Sequence, residues 1–446
     1  MALEKAALGS FLVKRNRTRP PFPAAKTRSG GLDQPDSAGP SATDDDDGER
    51  QGCDWSLATL LQIVSYLVFA VLYIIDCGSD IWTASVYKTD QEDRHFWLTF
   101  IIVAVSSVTL VVINLYWYYC EYEDDKAVRP DGMPPRWVWA VRIIFTLCLL
   151  GPFLRCIEIC RLGMKNKRAE DERVKEYYKK RADLEIQDVA VLGIIESFLE
   201  SAPQLGLQLF IMQTQGHEEN FRLFIQTASC LSSWLSCAIA LVSYSRANRV
   251  ARPMKEQLRL PAMLMLFLWR LFTIGPRILA LSLFASIIAV RYYVPVAIAC
   301  HWLLMTVYLI SRRTNYCNGK IFEISFNVLV GFVYIFTFWN IEDGHTRLRY
   351  TFYYILIYLE NLGMVVTWFL LTTHAGQWYY IPSFLFVIIG FLLGVAFMLA
   401  YYKGCHPKTI KLCLTADDFD QSGPYSQDAM HLDESTAVID NEEERL

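Results

Sequence analysis

Residues 188–215 read DVAVLGIIESFLESAPQLGLQLFIMQTQ, a mostly apolar segment that is longer than the roughly 20 residues a helix needs to cross a bilayer. Acidic and amide side chains recur along it, namely Asp188, Glu196, Glu200, Gln204 and Gln208. We call these five residues the polar track. A charge near the centre of a bilayer costs about 2.5–3.5 kcal/mol or more, so the acidic residues among these five are expected to have a structural or functional role. Since four residues advance a helix by slightly more than one turn, the polar track winds slowly along the segment.

The rest of the chain has the composition of a membrane protein. Of its 446 residues, 53% are hydrophobic, 14% aromatic and 20% charged, and the mean hydropathy is +0.23. A soluble domain of this size does not carry such an apolar excess. The apolar residues fall into ten blocks at 57–87, 96–120, 137–160, 188–215, 221–245, 260–290, 292–311, 321–341, 349–373 and 380–402. The sequence therefore predicts an all-α polytopic membrane protein.

The distribution of Lys and Arg predicts the topology, because short basic loops stay in the cytoplasm. The segments 161–187 and 246–259 are rich in Lys and Arg and are expected inside. Basic residues also lie on both sides of block eight, and block three runs through Pro152 into the first basic segment. Both blocks are therefore predicted to be re-entrant helical segments, and the other eight blocks to be transmembrane helices.

This topology divides the chain into two similar membrane units between two cytoplasmic tails. Weak internal duplication of this kind is common in transport folds. The tails are polar and charged, and the first is too poor in apolar residues to fold alone, so we expect it to be disordered. The predicted parts are the N-terminal tail 1–54, the first unit 55–245 with the basic loop 161–187, the second unit 246–402 and the C-terminal tail 403–446.

Further charged residues lie inside other blocks. Asp76 and Asp80 are one helical turn apart, and Arg270 and Arg277 are two turns apart, so each pair shares a helix face. Arg155 and Glu360 interrupt two more apolar blocks. One hypothesis is that these charges pair with one another and hold the bundle together. The other is that they line a hydrated path for a charged group, and both can apply at once.

The sequence offers little support for an enzyme or a nucleic-acid binder. It contains no glycine-rich phosphate loop, no GxSxG or HExxH motif and no His or Cys cluster at metal-binding spacing. We therefore expect no catalytic residues, no metal and no cofactor, and His301 is expected to be a hydrogen-bonded core residue. The formal net charge of -4 leaves no basic surface for nucleic acid.

Several motifs resemble those of the XK-related membrane proteins. They are Ser197-Phe198-Leu199-Glu200-Ser201-Ala202-Pro203-Gln204-Leu205, Asp76-Cys77-Gly78-Ser79-Asp80-Ile81-Trp82, Trp339-Asn340-Ile341-Glu342-Asp343-Gly344-His345-Thr346-Arg347, and Tyr401-Tyr402 followed by His406-Pro407. The resemblance covers about residues 57–407. It implies a phospholipid scramblase of the plasma membrane with eight spans and two re-entrant segments.

The resemblance also implies roles for particular residues. In that family intramembrane charges are thought to guide lipid head groups, and the matching positions are Asp76, Arg155, Asp188, Glu196 and Arg277. The chain departs from the family pattern where Gln62 and Ser243 replace acidic residues. The predicted lipid path comprises Asp76, Asp80, Arg155, Asp188, Glu196, Glu200, Gln204, Arg270, Arg277 and Glu360.

Some members of that family are activated when an executioner caspase cuts a cytoplasmic tail during apoptosis. Such a caspase prefers Asp at P4 and P1, and three tail sequences fit, ending at Asp36, Asp47 and Asp420. The alternative is that these acidic runs are solvated linkers. Phospholipids such as phosphatidylserine and the caspase are thus the expected partners, with a single-pass membrane chaperone or a homodimer as further alternatives.

Two other functions remain open at this point. A solute transporter would enclose its polar path in protein, and a structural subunit would use its charges to assemble with another membrane protein. A groove open to lipid favours the scramblase, whereas a sealed charge network favours the subunit.

Overall fold

The computed structural model describes most of the chain between the two tails. The described residues are 71, 75, 78–79, 81–89, 92–125, 129–130, 134–215, 220–250, 258–312, 320–340, 347–373 and 375–405. Within them the chain is helical and contains no strand. Asp76, Asp80 and the caspase candidates Asp36, Asp47 and Asp420 lie outside the described residues.

The helices beyond residue 92 are numbered here in chain order. They are α1 (Asp93–Asp125), α2 (Arg136–Leu147), α3 (Gly151–Arg168), α4 (Glu172–Glu196), α5 (Ala202–Gln215), α6 (Asn220–Val250), α7 (Leu260–Ser286), α8 (Val294–Ser311), α9 (Lys320–Val333), α10 (Arg347–Leu371), α11 (Tyr380–Leu385) and α12 (Phe391–Ala400). π-helical turns at Ser197–Ser201 and Phe386–Gly390 join α4 to α5 and α11 to α12, a third π turn (Tyr401–Cys405) follows α12, and a 3-10 turn at Arg291–Tyr293 precedes α8.

Six helical segments are long and apolar enough to cross a bilayer: Asp93–Tyr122, Gln226–Val250, Leu260–Ser286, Arg291–Ser311, Leu348–Leu371 and Tyr380–Gly404. Their outer faces carry large apolar side chains. On α1, for example, Ile101, Val108 and Val112 are all more than half exposed. Contiguous apolar surface of this kind indicates contact with lipid. The protein is therefore a multi-pass α-helical membrane protein.

The two blocks predicted to be re-entrant are both broken. Block three divides into α2 and α3, and between them Leu149 has a positive φ of 62°. In block eight, α9 has 14 residues and ends in a turn at 334–336, followed by non-helical residues 337–340. A 14-residue helix rises only about 21 Å, less than the ~30 Å hydrocarbon core. Six spans fall within the described residues, so eight spans with two re-entrant segments remains a prediction.

Pro203 explains the π turn in the middle of block four. In a regular α-helix the residue at position 203 would donate its backbone N–H to the carbonyl of Leu199, but proline has no N–H. The chain widens instead, and the N–H of Ala202 donates to the carbonyl of Ser197, five residues back. The helix thus continues through the π turn into α5. A π turn inside a helix is often found at a functional site.

Helix α7 packs against α6 and α12, and small residues allow close contact with it. A Cβ atom built on Gly394 of α12 would lie 2.8 Å from the backbone carbon of Phe272 on α7. A Cβ atom on Gly275 of α7 would lie 2.6 Å from the indole ring of Trp234 on α6. At both contacts only glycine fits. Because α5 and α10 also pack against α7, the arginines of this helix lie deep in the bundle.

Candidate functional site

The polar track lies inside the helix bundle and not on its surface. Asp188, Glu196, Glu200, Gln204 and Gln208 are each at most 7% exposed. The described residues of the bundle thus enclose the track. Gln204 and Gln208 follow the π turn, and neither amide has a hydrogen-bond partner among the described residues.

The first charge cluster surrounds Arg155, which is fully buried on α3. Its Nη1 atom lies 3.0 Å from Oε1 of Glu121 and 3.5 Å from Oδ2 of Asp188, and it also donates to Glu185. The guanidinium carbon lies 4.2 Å from the centre of the Tyr118 ring, a cation–π contact. One arginine therefore links α3 to α1 and α4.

Arg181 adds a second positive charge to this cluster. Its Nη2 atom lies 2.8 Å from Oε1 of Glu185 and also contacts Glu121. Oxygen atoms of Glu121, Glu185 and Asp188 lie within 4.8 Å of one another, a spacing that would suit a metal ion. Arg155 contacts all three carboxylates, so its guanidinium supplies the positive charge that a cation would bring. The cluster is an ion-pair network.

The second charge cluster joins α7, α8 and α10. Arg277 donates from Nη2 to Oε2 of Glu360 at 2.7 Å and from Nη1 to Oδ1 of Asn361 at 3.0 Å. His301 lies 3.0 Å from the other carboxylate oxygen of Glu360, and its Nε2 lies 3.3 Å from the carbonyl oxygen of Tyr334. The prediction that His301 is a hydrogen-bonded core residue is therefore confirmed. Glu360 is the most exposed member, with a 32% exposed side chain.

The break after α9, residues 334–340, accepts hydrogen bonds from Arg277 and from two further side chains, Tyr353 and Arg270. Arg277 donates from Nε to the carbonyl of Ile335 at 2.9 Å, and Tyr353 donates its hydroxyl to the carbonyl of Tyr334 at 2.7 Å. Arg270 donates to the carbonyl of Phe338 at 2.9 Å. A backbone that leaves the helical conformation at membrane depth requires such donors. Arg270 and Arg277 therefore stabilise this break.

The structure brings together part of the predicted path. Arg155 contacts Asp188, and Arg277 contacts Glu360, but Arg270 is bound by Phe338, Thr337 and Tyr350. Glu121 and Glu185, the nearest acidic partners of Arg155, were not among the predicted site residues. Glu121 lies at the end of α1, where a charge is expected to face water, so its position in the sequence gave no signal that it is buried.

Together, the six apolar helices and the buried charge clusters define a polytopic α-helical membrane protein with an enclosed polar interior. The family follows from comparison with known proteins. Residues 64–407 match the family model described as XK-related protein, and the chain belongs to that family.

Two vertebrate relatives are similar over most of their length. XK-related protein 8 of Pan troglodytes is 29% identical over 375 residues, covering 82% of this chain and 88% of the relative. XK-related protein 8 of Gasterosteus aculeatus is 27% identical over 366 residues, covering 80% and 87%. The match includes the polar track and both charge clusters, because all of these residues lie between residues 64 and 407.

Proposed function

We propose that this protein is a phospholipid scramblase of the plasma membrane that moves phosphatidylserine and other phospholipids between leaflets without an energy source. Both termini would be cytoplasmic, and cleavage of a tail by an executioner caspase during apoptosis would activate it. Asp36, Asp47 and Asp420 are the candidate cleavage positions. The described conformation would then be the closed one, before cleavage.

The observation that carries this proposal is the length of the buried polar track. From Asp188 to Gln208 the helix rises about 30 Å at 1.5 Å per residue, the thickness of the hydrocarbon core. Polar side chains placed at that spacing would lower the cost of moving a head group, which loses its hydration in hydrocarbon. Acyl chains would remain in the bilayer while the head group passes along α4 and α5.

Burial of the track requires that the bundle open during transport. Lipid can reach Glu196 and Glu200 only if neighbouring helices separate from α4 and α5, since both carboxylates are buried. The π turn between these helices and the break after α9 supply irregular backbone at which such a movement could begin. A cytoplasmic tail that restrains the helix ends would keep the bundle closed until it is cut.

A structural subunit is the second candidate, and the Arg155 cluster favours it. Its two arginines and three acids are mutually paired, which is expected of charges that hold helices together. Under this alternative the polar interior is permanently closed, and the partner is another membrane protein. A solute transporter would also have an enclosed track, but it would move small molecules and leave lipids in their leaflet.

Reconstitution of the purified full-length chain separates these functions. Liposomes carrying a fluorescent phospholipid are treated with a membrane-impermeant quencher, before and after addition of executioner caspase. We expect quenching of the inner-leaflet lipid only after caspase, and loss of that response in one of Asp36→Ala, Asp47→Ala or Asp420→Ala. Glu196→Gln should slow the cleaved protein, whereas Glu170→Gln in the exposed basic loop should not.

Cleavage without lipid movement, in protein confirmed to be folded and inserted, would contradict the scramblase. Co-purification with a single-pass membrane protein would then favour the subunit. If uncleaved protein already scrambles fully, the gating part of the proposal is wrong and the lipid path remains.

A further inference from the structure

We infer that the second half of the polar track is an uncharged amide segment, and that Gln208 is a specificity-determining residue whose neutral amide keeps this segment from excluding anionic head groups. This inference rests on the proposed function. It assigns lipid selectivity to the stretch after the π turn, where Gln204 and Gln208 lie one helical turn apart on one face of α5.

The two glutamines are buried without hydrogen bonds. Each is at most 2% exposed, and the Oε1 and Nε2 atoms of both lack partners among the described residues. Buried polar groups are hydrogen-bonded in the great majority of cases, so these four atoms retain the capacity to bond a polar group that enters this part of the bundle. An amide offers both a donor and an acceptor, which together suit the phosphate, ammonium and carboxylate groups of a phospholipid.

Helix α1 contributes similar groups. Thr99 and Ser106 lie two turns apart on its buried face, and neither hydroxyl has a partner among the described residues. Helix α5 packs against α1 as well as against α6 and α7. Two neighbouring helices thus both bury hydrogen-bonding groups that are uncharged and unsatisfied in the closed conformation.

Fixed charge is concentrated in the other half of the track. Asp188, Glu196 and Glu200 all precede or lie within the π turn, and Arg155 contacts the first of them. Residues 202–215 of α5 contain no Asp, Glu, Lys or Arg, and the same is true of 226–245 on α6 and 278–286 on α7. These stretches therefore bring no charge to a head group that passes Gln208, and the described cation beside this half of α5 is Arg291, whose guanidinium carbon lies 5.2 Å from the centre of the Phe210 ring.

The absence of charge has a direct effect on selectivity. In the low effective dielectric of a protein interior a single carboxylate strongly repels a net negative head group at a distance of a few ångströms. A zwitterionic phosphatidylcholine head group would be affected much less than phosphatidylserine. With glutamine at position 208, this segment of the path does not distinguish the two by charge.

The experiment compares phosphatidylserine with phosphatidylcholine, each labelled on an acyl chain, in liposomes containing the activated protein. The quantity measured is the ratio of their two scrambling rates. We expect Gln208→Glu to lower the phosphatidylserine to phosphatidylcholine ratio by on the order of tenfold, and Gln208→Lys to raise it. Gln208→Met should slow both lipids equally, because it removes hydrogen bonds and adds no charge.

Gln213 provides a matched control on the same helix. It donates from Nε2 to Oγ of Ser282 on α7 at 3.0 Å, and nine residues separate it from Gln204, which places it on the opposite face. Gln213→Glu should leave the ratio unchanged. If Gln208→Glu does not fold, Gln204→Glu tests the same segment with the same expected direction.

The outcomes separate this inference from the proposed function. If the wild type scrambles both lipids but charge at positions 208 and 204 leaves the ratio unchanged, the inference is wrong and the scramblase stands. If Gln213→Glu changes the ratio as strongly as Gln208→Glu, the effect is not specific to the track and the inference is also wrong. If the activated wild type moves neither lipid, the proposed function itself fails.

Discussion

Arg277 and Glu360 form an ion pair that joins α7 to α10, with Nη2 and Oε2 at 2.7 Å. The same guanidinium donates from Nε to the carbonyl of Ile335, in the break after α9. One arginine thus connects two apolar helices and donates a hydrogen bond to a backbone carbonyl of a third element. The two partners are not equivalent, since Glu360 is partly exposed and Arg277 is buried.

This asymmetry predicts unequal effects on stability. Arg277→Met should lower the free energy of unfolding by about 3–5 kcal/mol, because it removes the hydrogen bonds to Glu360, Asn361 and the carbonyl of Ile335 together and leaves that carbonyl unsatisfied at membrane depth. Glu360→Gln should cost less, about 1–2 kcal/mol, because Arg277 loses its counter-charge but keeps its hydrogen bonds to Asn361, to the Ile335 carbonyl and to the new amide oxygen. Thermal unfolding in detergent measures both variants. Equal effects of the two substitutions would show that the Ile335 and Asn361 contacts contribute nothing.

The Arg155 cluster predicts a large effect from a single substitution. Arg155→Met leaves Glu121, Glu185 and Asp188 without the one guanidinium that contacts all three, so we expect a loss of about 3–5 kcal/mol. Arg173→Met, at an exposed position at the start of α4, is the matched control and should be neutral within about 0.5 kcal/mol.

A second substitution tests whether the loss comes from unpaired acids. Adding Glu185→Gln to Arg155→Met removes one of the three carboxyl charges and should restore part of the stability. If the double variant is less stable than Arg155→Met alone, the network does not act through charge balance.

Much of the fold follows from the sequence for simple physical reasons. The length of each apolar block is fixed by the bilayer, so blocks such as 96–120 and 349–373 could be assigned to helices α1 and α10. Pro203 removes one backbone donor, and the irregular turn appears immediately before it. Basic residues on both sides of block eight predicted a segment that does not cross; α9 is short and ends in a break, and its re-entrant course stays a prediction.

The partners of the charges could not be predicted in the same way. Hydropathy shows that Arg270 lies in an apolar block. It does not show that the guanidinium of Arg270 donates to Phe338 and Thr337, because those contacts depend on how the segment after α9 folds back onto α7. The burial of Glu121 could not be predicted either, because charged residues are common at the ends of membrane spans, where they face water. Helix periodicity places residues on faces, whereas pairing requires knowledge of which faces meet.

Close packing of α12 on α7 predicts that Gly394 tolerates no side chain. An alanine Cβ there would lie 2.8 Å from the backbone carbon of Phe272, which cannot rotate away. Gly394→Ala should therefore lower the free energy of unfolding by about 1–3 kcal/mol. Gly363→Ala on α10 is the matched control, since its Cβ would meet nothing within 4 Å and alanine favours helix. A neutral Gly394→Ala would contradict this close contact.

Asp183 predicts a pH dependence in the first half of α4, before the polar track begins. Burial raises the pKa of this carboxyl from 3.8 to about 6, and the neighbouring Lys179 only partly offsets the effect. Because the folded state binds this proton more tightly than the unfolded state, the contribution of Asp183 to the free energy of unfolding falls as pH rises between about 4 and about 6. Above that range the buried carboxylate is destabilising.

Asp183→Asn should therefore unfold at a higher temperature than the wild type at pH 7.5, and this advantage should shrink towards pH 5 as the wild-type carboxyl takes up its proton. Thermal unfolding at a series of pH values in one detergent measures the difference between the two curves. Glu170→Gln, an exposed acid between α3 and α4, is the control and should follow the wild type at every pH. An Asp183→Asn curve that lies below the wild type at pH 7.5 would mean that the carboxylate has a stabilising partner, and that Lys179 outweighs burial.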